Sequence, residues 1–149
     1  MAEKKYLVPM SSPEINGNDR QAVLEVLETN YLSMGPKINA FEQSVQSYVG
    51  VNEAIGVSSG TTGLHLCIRA AGIQANDLVL TTPFSFVSST NVILFEQAIP
   101  IFVDVDPLTG NLDPILAEEA IRDLASDDLK KLYRWLPRKG AGHPKTLKA

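Results

Sequence analysis

Apolar residues recur at helical spacing in two segments of the first third of the chain. Asn16 or Asn18 can cap the first predicted helix, which ends before Asn30. The second begins at Pro36, because proline suits the first turn of a helix, and it ends at Gly50. The predicted apolar positions are Ala22, Val23, Val26 and Leu27 in the first helix, and Ile38, Phe41, Val45, Tyr48 and Val49 in the second.

From residue 54 onward, short apolar runs alternate with segments of helical periodicity. Strands are predicted at residues 54–57, 78–81 and 100–103, and helices at residues 61–71, 86–97 and 115–124. The buried face of the first of these helices is expected to carry Leu64, Cys67, Ile68 and Ala71. This alternation predicts an α/β fold with a mainly parallel sheet covered by helices.

Three turns follow the predicted strands, at residues 58–62, 82–86 and 104–106. Right-handed crossovers bring the ends of parallel strands to one edge of the sheet, so these turns are expected to lie together. The carboxyl edge of an α/β sheet is where such folds bind ligands. The sequence therefore predicts a ligand site formed by these turns.

The first turn, Ser59-Gly60-Thr61-Thr62, has the composition of a phosphate site. Glycine and hydroxyl residues at a helix N-terminus offer backbone N–H groups to an anion. The turn has neither the Walker spacing nor the GxGxxG spacing, so a simple capped turn, with Ser59 or Thr61 as the cap, stays an alternative. Phe86 in the second turn either stacks on a planar ligand or belongs to the core.

The other candidate groups favour structural roles. Asp104 and Asp106 are predicted to cap a turn before Pro107 rather than to form a catalytic or metal site. His65 is interpreted as a packed or solvent-edge histidine, and Cys67 as a small apolar residue. We therefore assign no catalytic residue and no metal ligand.

Composition and charge limit the protein's class. The sequence has 149 residues, 44% of them hydrophobic and 20% charged, which is typical of a globular protein. Its formal net charge of −4 gives no overall basic surface for nucleic acid, and there is no signal peptide or apolar run of transmembrane length. With the single cysteine Cys67, these features predict a cytoplasmic protein that binds neither membrane nor nucleic acid.

The charge is unevenly distributed along the chain. The first 128 residues carry −11 and the last 21 carry +7. In this basic tail, Leu129, Leu132, Tyr133 and Leu136 predict a short amphipathic helix that Pro137 ends. Residues 138–149 are expected to be disordered.

Several motifs, taken in order, resemble the N-terminal part of the DegT/DnrJ/EryC1/StrS aminotransferases, over about residues 6–124. The matching motifs are Gly35-Pro36, Phe41-Glu42, residues 57–66, Ala71-Gly72-Ile73, residues 83–91, residues 102–107 and Thr109-Gly110-Asn111. Each motif alone is weak, and their ordered set is specific.

The resemblance implies a homodimeric enzyme with pyridoxal 5'-phosphate as cofactor. It would transfer an amino group from glutamate or glutamine to a keto-sugar, usually nucleotide-linked, in sugar or cell-surface polysaccharide biosynthesis. By the same resemblance, Gly60 and Thr61 contact the cofactor phosphate, and Phe86 stacks on the pyridine ring. Residues 1–124 would then form part of the fold type I large domain.

The chain departs from the family in its last segment. The family's later aspartate, which faces the pyridinium nitrogen, and its Schiff-base lysine have no recognisable counterpart, and no lysine between Lys130 and Lys148 lies in the family's motif. We therefore expect a fragment that is inactive alone, with a divergent or out-of-frame tail at residues 125–149. The alternative is a non-enzymatic binding or regulatory protein that has kept the α/β fold.

Overall fold

A computed structural model describes residue 8, residues 11–126 and residues 128–136. Contacts divide the chain into two compact units, Met1–Gly56 and Val57–Ala149. The helices are α1 (Gly17–Leu27), α2 (Pro36–Val49), α3 (Gly60–Ala70), α4 (Ser88–Phe95), α5 (Pro114–Leu124) and α6 (Leu129–Trp135), and the strands are β1 (Leu78–Thr81) and β2 (Ile99–Phe102).

The two helices of the N-terminal unit begin and end at the predicted signals. Asn16 caps α1 in a capping box, in which the Asp19 carboxylate accepts a hydrogen bond from the Asn16 N–H at 2.8 Å. Pro36 opens α2, and Gly50 ends it in the left-handed conformation with φ of 76°. Both predictions are confirmed because capping depends on residues within one turn of the helix end.

The predicted strand at residues 54–57 is wrong, since the structure has no strand there. Ile55 is 78% exposed, and the Gly56 N–H donates to the Glu42 carboxylate at 2.7 Å instead of to a neighbouring strand. A strand needs a partner for its backbone groups, and no strand in the described residues pairs with this segment. An apolar run in the sequence does not by itself provide such a partner strand.

In the C-terminal unit, β1 and β2 pair in parallel, with Leu78 opposite Ile99 and Thr81 opposite Phe102. Strand β1 has the predicted bounds, β2 lies one residue earlier than predicted, and α4 is shorter than the predicted helix at residues 86–97. The prediction of an α/β fold with a parallel sheet flanked by helices is confirmed, with two strands in the described residues where three were predicted.

Helices cover both faces of this small sheet. On one face, α5 and α6 cover β2 through a cluster of Ile99, Ile101, Leu124 and Leu132. On the other face, the α4 residues Val92 and Ile93 pack with Ala98, joined by Ile68, Ile73 and Val79. Successive strand residues point to opposite faces, which is why Leu78 and Leu80 join the first cluster and Val79 joins the second.

Helix α3 is covered on one side only. Ile68 packs against the α4 cluster as predicted, but Cys67 is exposed, so its predicted place on a buried face is wrong. Leu64 and Ala71 are exposed as well. Periodicity identifies an apolar stripe, but the burial of that stripe depends on which elements lie against it.

The predicted helix in the basic tail is present as α6, and its residue Leu132 is buried in the core. Helix α6 therefore packs against the sheet and α5. The predicted disorder of residues 138–149 lies outside the described residues.

Candidate phosphate site at the carboxyl edge of the sheet

The turn before α3 is fixed by its own hydroxyl groups. Ser59 is the N-cap, and its Oγ accepts a hydrogen bond from the Thr62 N–H at 3.2 Å. The Ser59 carbonyl accepts from the Gly63 N–H at 3.0 Å. The cap therefore satisfies the third N–H group of the helix and leaves the first two, on Gly60 and Thr61, for another acceptor.

The N–H groups of Gly60 and Thr61 have no hydrogen-bond acceptor among the described residues. A Cβ atom built on Gly60 would have no atom within 4 Å, so the space beside this residue is open. Free N–H groups at the positive end of a helix attract an anion. The capped turn that was the alternative is therefore present, with Ser59 as the cap, and the phosphate site stays a prediction.

Three hydroxyl groups lie in the same turn as these donors. Thr62 Oγ1 lies 3.0 Å from Ser59 Oγ and 3.3 Å from Ser58 Oγ. Hydroxyls can donate to an anion as well as accept from a backbone N–H, and all three residues are exposed. Ser58 and Thr62 were not named from the sequence as candidate phosphate ligands, although both lie in the same hydroxyl-rich turn as Gly60 and Thr61.

Helices α3 and α4 each precede one strand of the parallel pair. Helix α3 leads into β1 and α4 leads into β2, and the two strands are parallel, so the connections that follow both helices reach the same edge of the sheet. The hydrogen bond from Asn76 N to Gln97 O, at 3.0 Å, joins the two connections there. The turn before α4, which carries Phe86, follows β1 directly and therefore lies at the carboxyl edge of the sheet.

Phe86 lies in that turn and is 75% exposed. The alternative that it belongs to the core is therefore excluded in this structure. Its carbonyl accepts from the Ser89 N–H at 3.0 Å, and Ser85 Oγ lies 2.9 Å from Ser89 Oγ. These bonds hold the turn against the start of α4, and they leave the aromatic ring exposed at the carboxyl edge of the sheet.

The two aspartates after β2 form a turn, as predicted. Asp106 accepts from the Leu108 N–H at 2.9 Å and from the Thr109 hydroxyl at 3.1 Å, and Asp104 accepts from the Val105 N–H at 2.8 Å. Their carboxylates are thus engaged in local structure. Within the described residues, no group of three or more His, Cys, Asp or Glu side chains is arranged to hold a metal ion.

His65 packs at the edge between α3 and α4, as predicted. Its Nε2 lies 2.5 Å from Glu96 Oε1, and its ring contacts Phe95 edge-on with centroids 5.3 Å apart. The sequence did not indicate Glu96 as its partner, because the two residues are 31 positions apart and no local spacing connects them.

The open turn before α3 and the exposed Phe86 side chain are thus the candidate groups for a phosphorylated planar ligand. The model of the DegT/DnrJ/EryC1/StrS aminotransferase family matches residues 13–126. The chain belongs to this family.

Three similar proteins illustrate the relationship. EpsN of Bacillus subtilis (strain 168), provisionally named a pyridoxal phosphate-dependent aminotransferase, is 36% identical over 124 residues, which are 83% of this chain and 31% of EpsN. The uncharacterized protein MJ1066 of Methanocaldococcus jannaschii is 35% identical over 144 residues, which are 97% of this chain and 35% of MJ1066.

The third is a solved structure. Helicobacter pylori PseC, an aminotransferase involved in the biosynthesis of pseudoaminic acid, superimposes with a TM-score of 0.69 at 31% identity, over 74% of this chain and 30% of PseC. The chain spans about a third of the length of the relatives that it matches. None of the helices in the described part of the chain combines the length and apolar character that crossing a membrane requires.

Proposed function

We propose that this chain provides the phosphate-binding and ring-binding part of a pyridoxal 5'-phosphate-dependent sugar aminotransferase. The reaction would transfer an amino group from glutamate or glutamine to a keto-sugar, usually nucleotide-linked, in sugar or cell-surface polysaccharide biosynthesis. Family membership supports the reaction class, and the name of EpsN supports the cofactor.

One observation carries the cofactor assignment. The N-cap Ser59 satisfies the third N–H group of α3, so the N–H groups of Gly60 and Thr61 stay available at the positive end of the helix. A phosphate monoester has three oxygens that can accept from these donors and from the hydroxyls of Ser58 and Thr62. The residues present therefore fit the phosphate of pyridoxal 5'-phosphate.

Phe86 would orient the other end of the cofactor. Its exposed ring lies on the turn before α4, where it can pack on one face of a pyridine ring and exclude water from that face. Bound pyridoxal phosphate supplies the electron sink for amino transfer, while the protein binds and orients it. In this chain the orienting groups are the α3 N-terminus at one end and Phe86 at the other.

We further propose that these 149 residues do not complete amino transfer by themselves. The family's Schiff-base lysine and pyridinium aspartate have no recognisable motif in this sequence, and both groups are needed to activate the cofactor. Following the family, we expect the functional form to be a homodimer, which sedimentation velocity tests.

The phosphate site is tested by removing one N–H donor while keeping the helix. The variant Gly60→Pro lacks the first N–H group of α3. Proline is tolerated at the first position of a helix, and the extended backbone of Ser59 (φ −163°, ψ 160°) is compatible with a following proline. Gly60→Ala keeps the N–H and fits the open space, so it is the matched control.

The ligand for this test is pyridoxamine 5'-phosphate, because it lacks the aldehyde that reacts with surface lysines. Titration followed by the amide NMR signals of Thr61 and Thr62 should show binding about tenfold weaker in Gly60→Pro, the effect of one hydrogen bond to a charged group. Gly60→Ala should bind like the wild type. Absence of binding to the wild-type chain, or equal affinity in both variants, would contradict the proposed site.

A further inference from the structure

One polar contact joins the two helices that carry the candidate site. The imidazole Nε2–H of His65 in α3 donates to the Glu96 carboxylate, the C-cap of α4, over 2.5 Å. Phe95 contacts the edge of the same ring at an interplanar angle of 73°. The His65 and Glu96 side chains are 31% and 21% exposed, so the contact is only partly screened by water.

Apolar side chains also pack between these helices. Ile68 packs against the cluster of Val92, Ile93 and Ala98. The hydrophobic effect itself is not directional, so a hydrogen bond adds a directional restraint to this packing. A charge-assisted hydrogen bond has a preferred distance and angle. The His65–Glu96 pair therefore restricts how α3 can turn about its axis or slide along α4.

This restriction acts on the site because of where the pair lies. His65 follows Gly60 by five residues, which is about 7.5 Å along the helix axis at 1.5 Å per residue. Glu96 belongs to the same short helical segment whose preceding turn carries Phe86. A rotation of α3 relative to α4 would move the Gly60 and Thr61 donors relative to the Phe86 ring.

We infer that His65 and Glu96 are positioning residues, which set the distance between the phosphate donors and the ring-binding Phe86 so that one cofactor engages both. This inference rests on the proposed function. The pair would hold the phosphate donors and the Phe86 ring at a fixed separation. A ligand whose phosphate and ring match that separation then binds more tightly, because both contacts form without further ordering of the protein.

Three ligands distinguish the positioning role of His65 and Glu96 from the separate binding of the phosphate and of the ring. Inorganic phosphate reports on the α3 N-terminus alone, pyridoxamine reports on the ring contact alone, and pyridoxamine 5'-phosphate engages both. Glu96→Ala removes the acceptor, whereas Glu96→Gln keeps an oxygen that the His65 N–H can reach. Glu118→Ala is the matched control, because it breaks the exposed Glu118–Arg122 ion pair of α5.

Affinities are measured by amide NMR titration on the full chain. We expect Glu96→Ala to weaken the binding of pyridoxamine 5'-phosphate about three- to tenfold, the usual effect of one hydrogen bond. Inorganic phosphate and pyridoxamine should keep their wild-type affinities in the same variant. Glu96→Gln should restore most of the loss, and Glu118→Ala should have no effect on any probe.

The possible results distinguish this inference from the proposed function. If the wild-type chain fails to bind pyridoxamine 5'-phosphate, the proposed function itself is wrong. If the wild type binds it and Glu96→Ala binds it equally well, only the positioning role is overturned. An equal loss for inorganic phosphate and pyridoxamine 5'-phosphate would also overturn it, because that pattern shows general damage to the α3 N-terminus.

Discussion

Trp135 Nε1 in α6 donates a hydrogen bond to Asp123 Oδ2 in α5 at 3.0 Å. Asp123 is 7% exposed, and Lys131 and Arg134 each place a nitrogen 3.8 Å from its carboxylate. The Arg134 guanidinium also lies over the Trp135 ring, 4.8 Å from its centroid. A buried carboxylate is thus satisfied by three residues of the basic tail, which makes α6 part of the folded unit.

Trp135→Phe tests this hydrogen bond. Phenylalanine keeps an aromatic ring at the position but removes the N–H, leaving Asp123 with weaker partners, so we expect the free energy of unfolding to fall by about 1 kcal/mol. Urea denaturation measures the change. Tyr48→Phe, which alters a 93% exposed aromatic, is the control and should have little effect. An unchanged midpoint in Trp135→Phe would show that the bond contributes nothing to stability.

Leu132→Ala tests the apolar side of the same packing. Leu132 is 8% exposed and shares a cluster with Ile101 and Leu124, so its truncation leaves a cavity. We expect a loss of about 2–4 kcal/mol in the free energy of unfolding. Leu108→Ala is the matched control, because Leu108 is 93% exposed and its truncation creates no cavity. Equal stability of the two variants in urea would mean that α6 is not docked.

The predicted boundary at residue 124, with a divergent or out-of-frame tail beyond it, stays a prediction. Two findings weigh against an unrelated tail. Helix α6 contributes Leu132 to the core, and the similarity to MJ1066 covers 97% of this chain.

Ser59→Ala tests the cap of α3. The variant loses the Ser59 Oγ bond to the Thr62 N–H, and we expect α3 to fray at its first turn at a cost of about 1 kcal/mol in unfolding free energy. Pyridoxamine 5'-phosphate should also bind more weakly, because the Gly60 and Thr61 donors lose their fixed direction.

Ser47→Ala is the control for Ser59→Ala. Ser47 Oγ donates to the Gln43 carbonyl within α2, where a serine gives the helix no advantage over alanine. Its replacement should be neutral or slightly stabilising in urea denaturation. A Ser59→Ala variant that behaves like Ser47→Ala in both stability and binding would contradict the role of the cap.

Phe86→Ala separates the proposed ring contact from folding. Phe86 is 75% exposed, so its loss should leave thermal stability nearly unchanged, whereas the affinity for pyridoxamine 5'-phosphate should fall about tenfold, as expected for a lost aromatic contact with a bound ring. Phe84→Ala is the matched control, since Phe84 is 73% exposed in the same turn. Equal affinities in the two variants would exclude Phe86 as the ring-binding residue.

The sequence by itself determined the features that depend on neighbouring residues. Pro36 and Gly50 bound α2, and Asp113 caps α5 ahead of Pro114 by accepting from the Ile115 N–H at 2.8 Å. The cap of α3 could be predicted for the same reason, because Ser59 and the Thr62 N–H lie within one helical turn. Capping and turn chemistry are local, so their residue types specify them.

Only the tertiary structure decided which apolar segments pair and which are covered. Residues 54–57 look like a strand but have no partner, and Cys67 lies on an apolar stripe that is exposed. The His65–Glu96 and Asp123–Trp135 contacts were likewise not predictable, because each joins residues that the fold alone brings together. Pairing and burial depend on distant parts of the chain, and no local spacing encodes them.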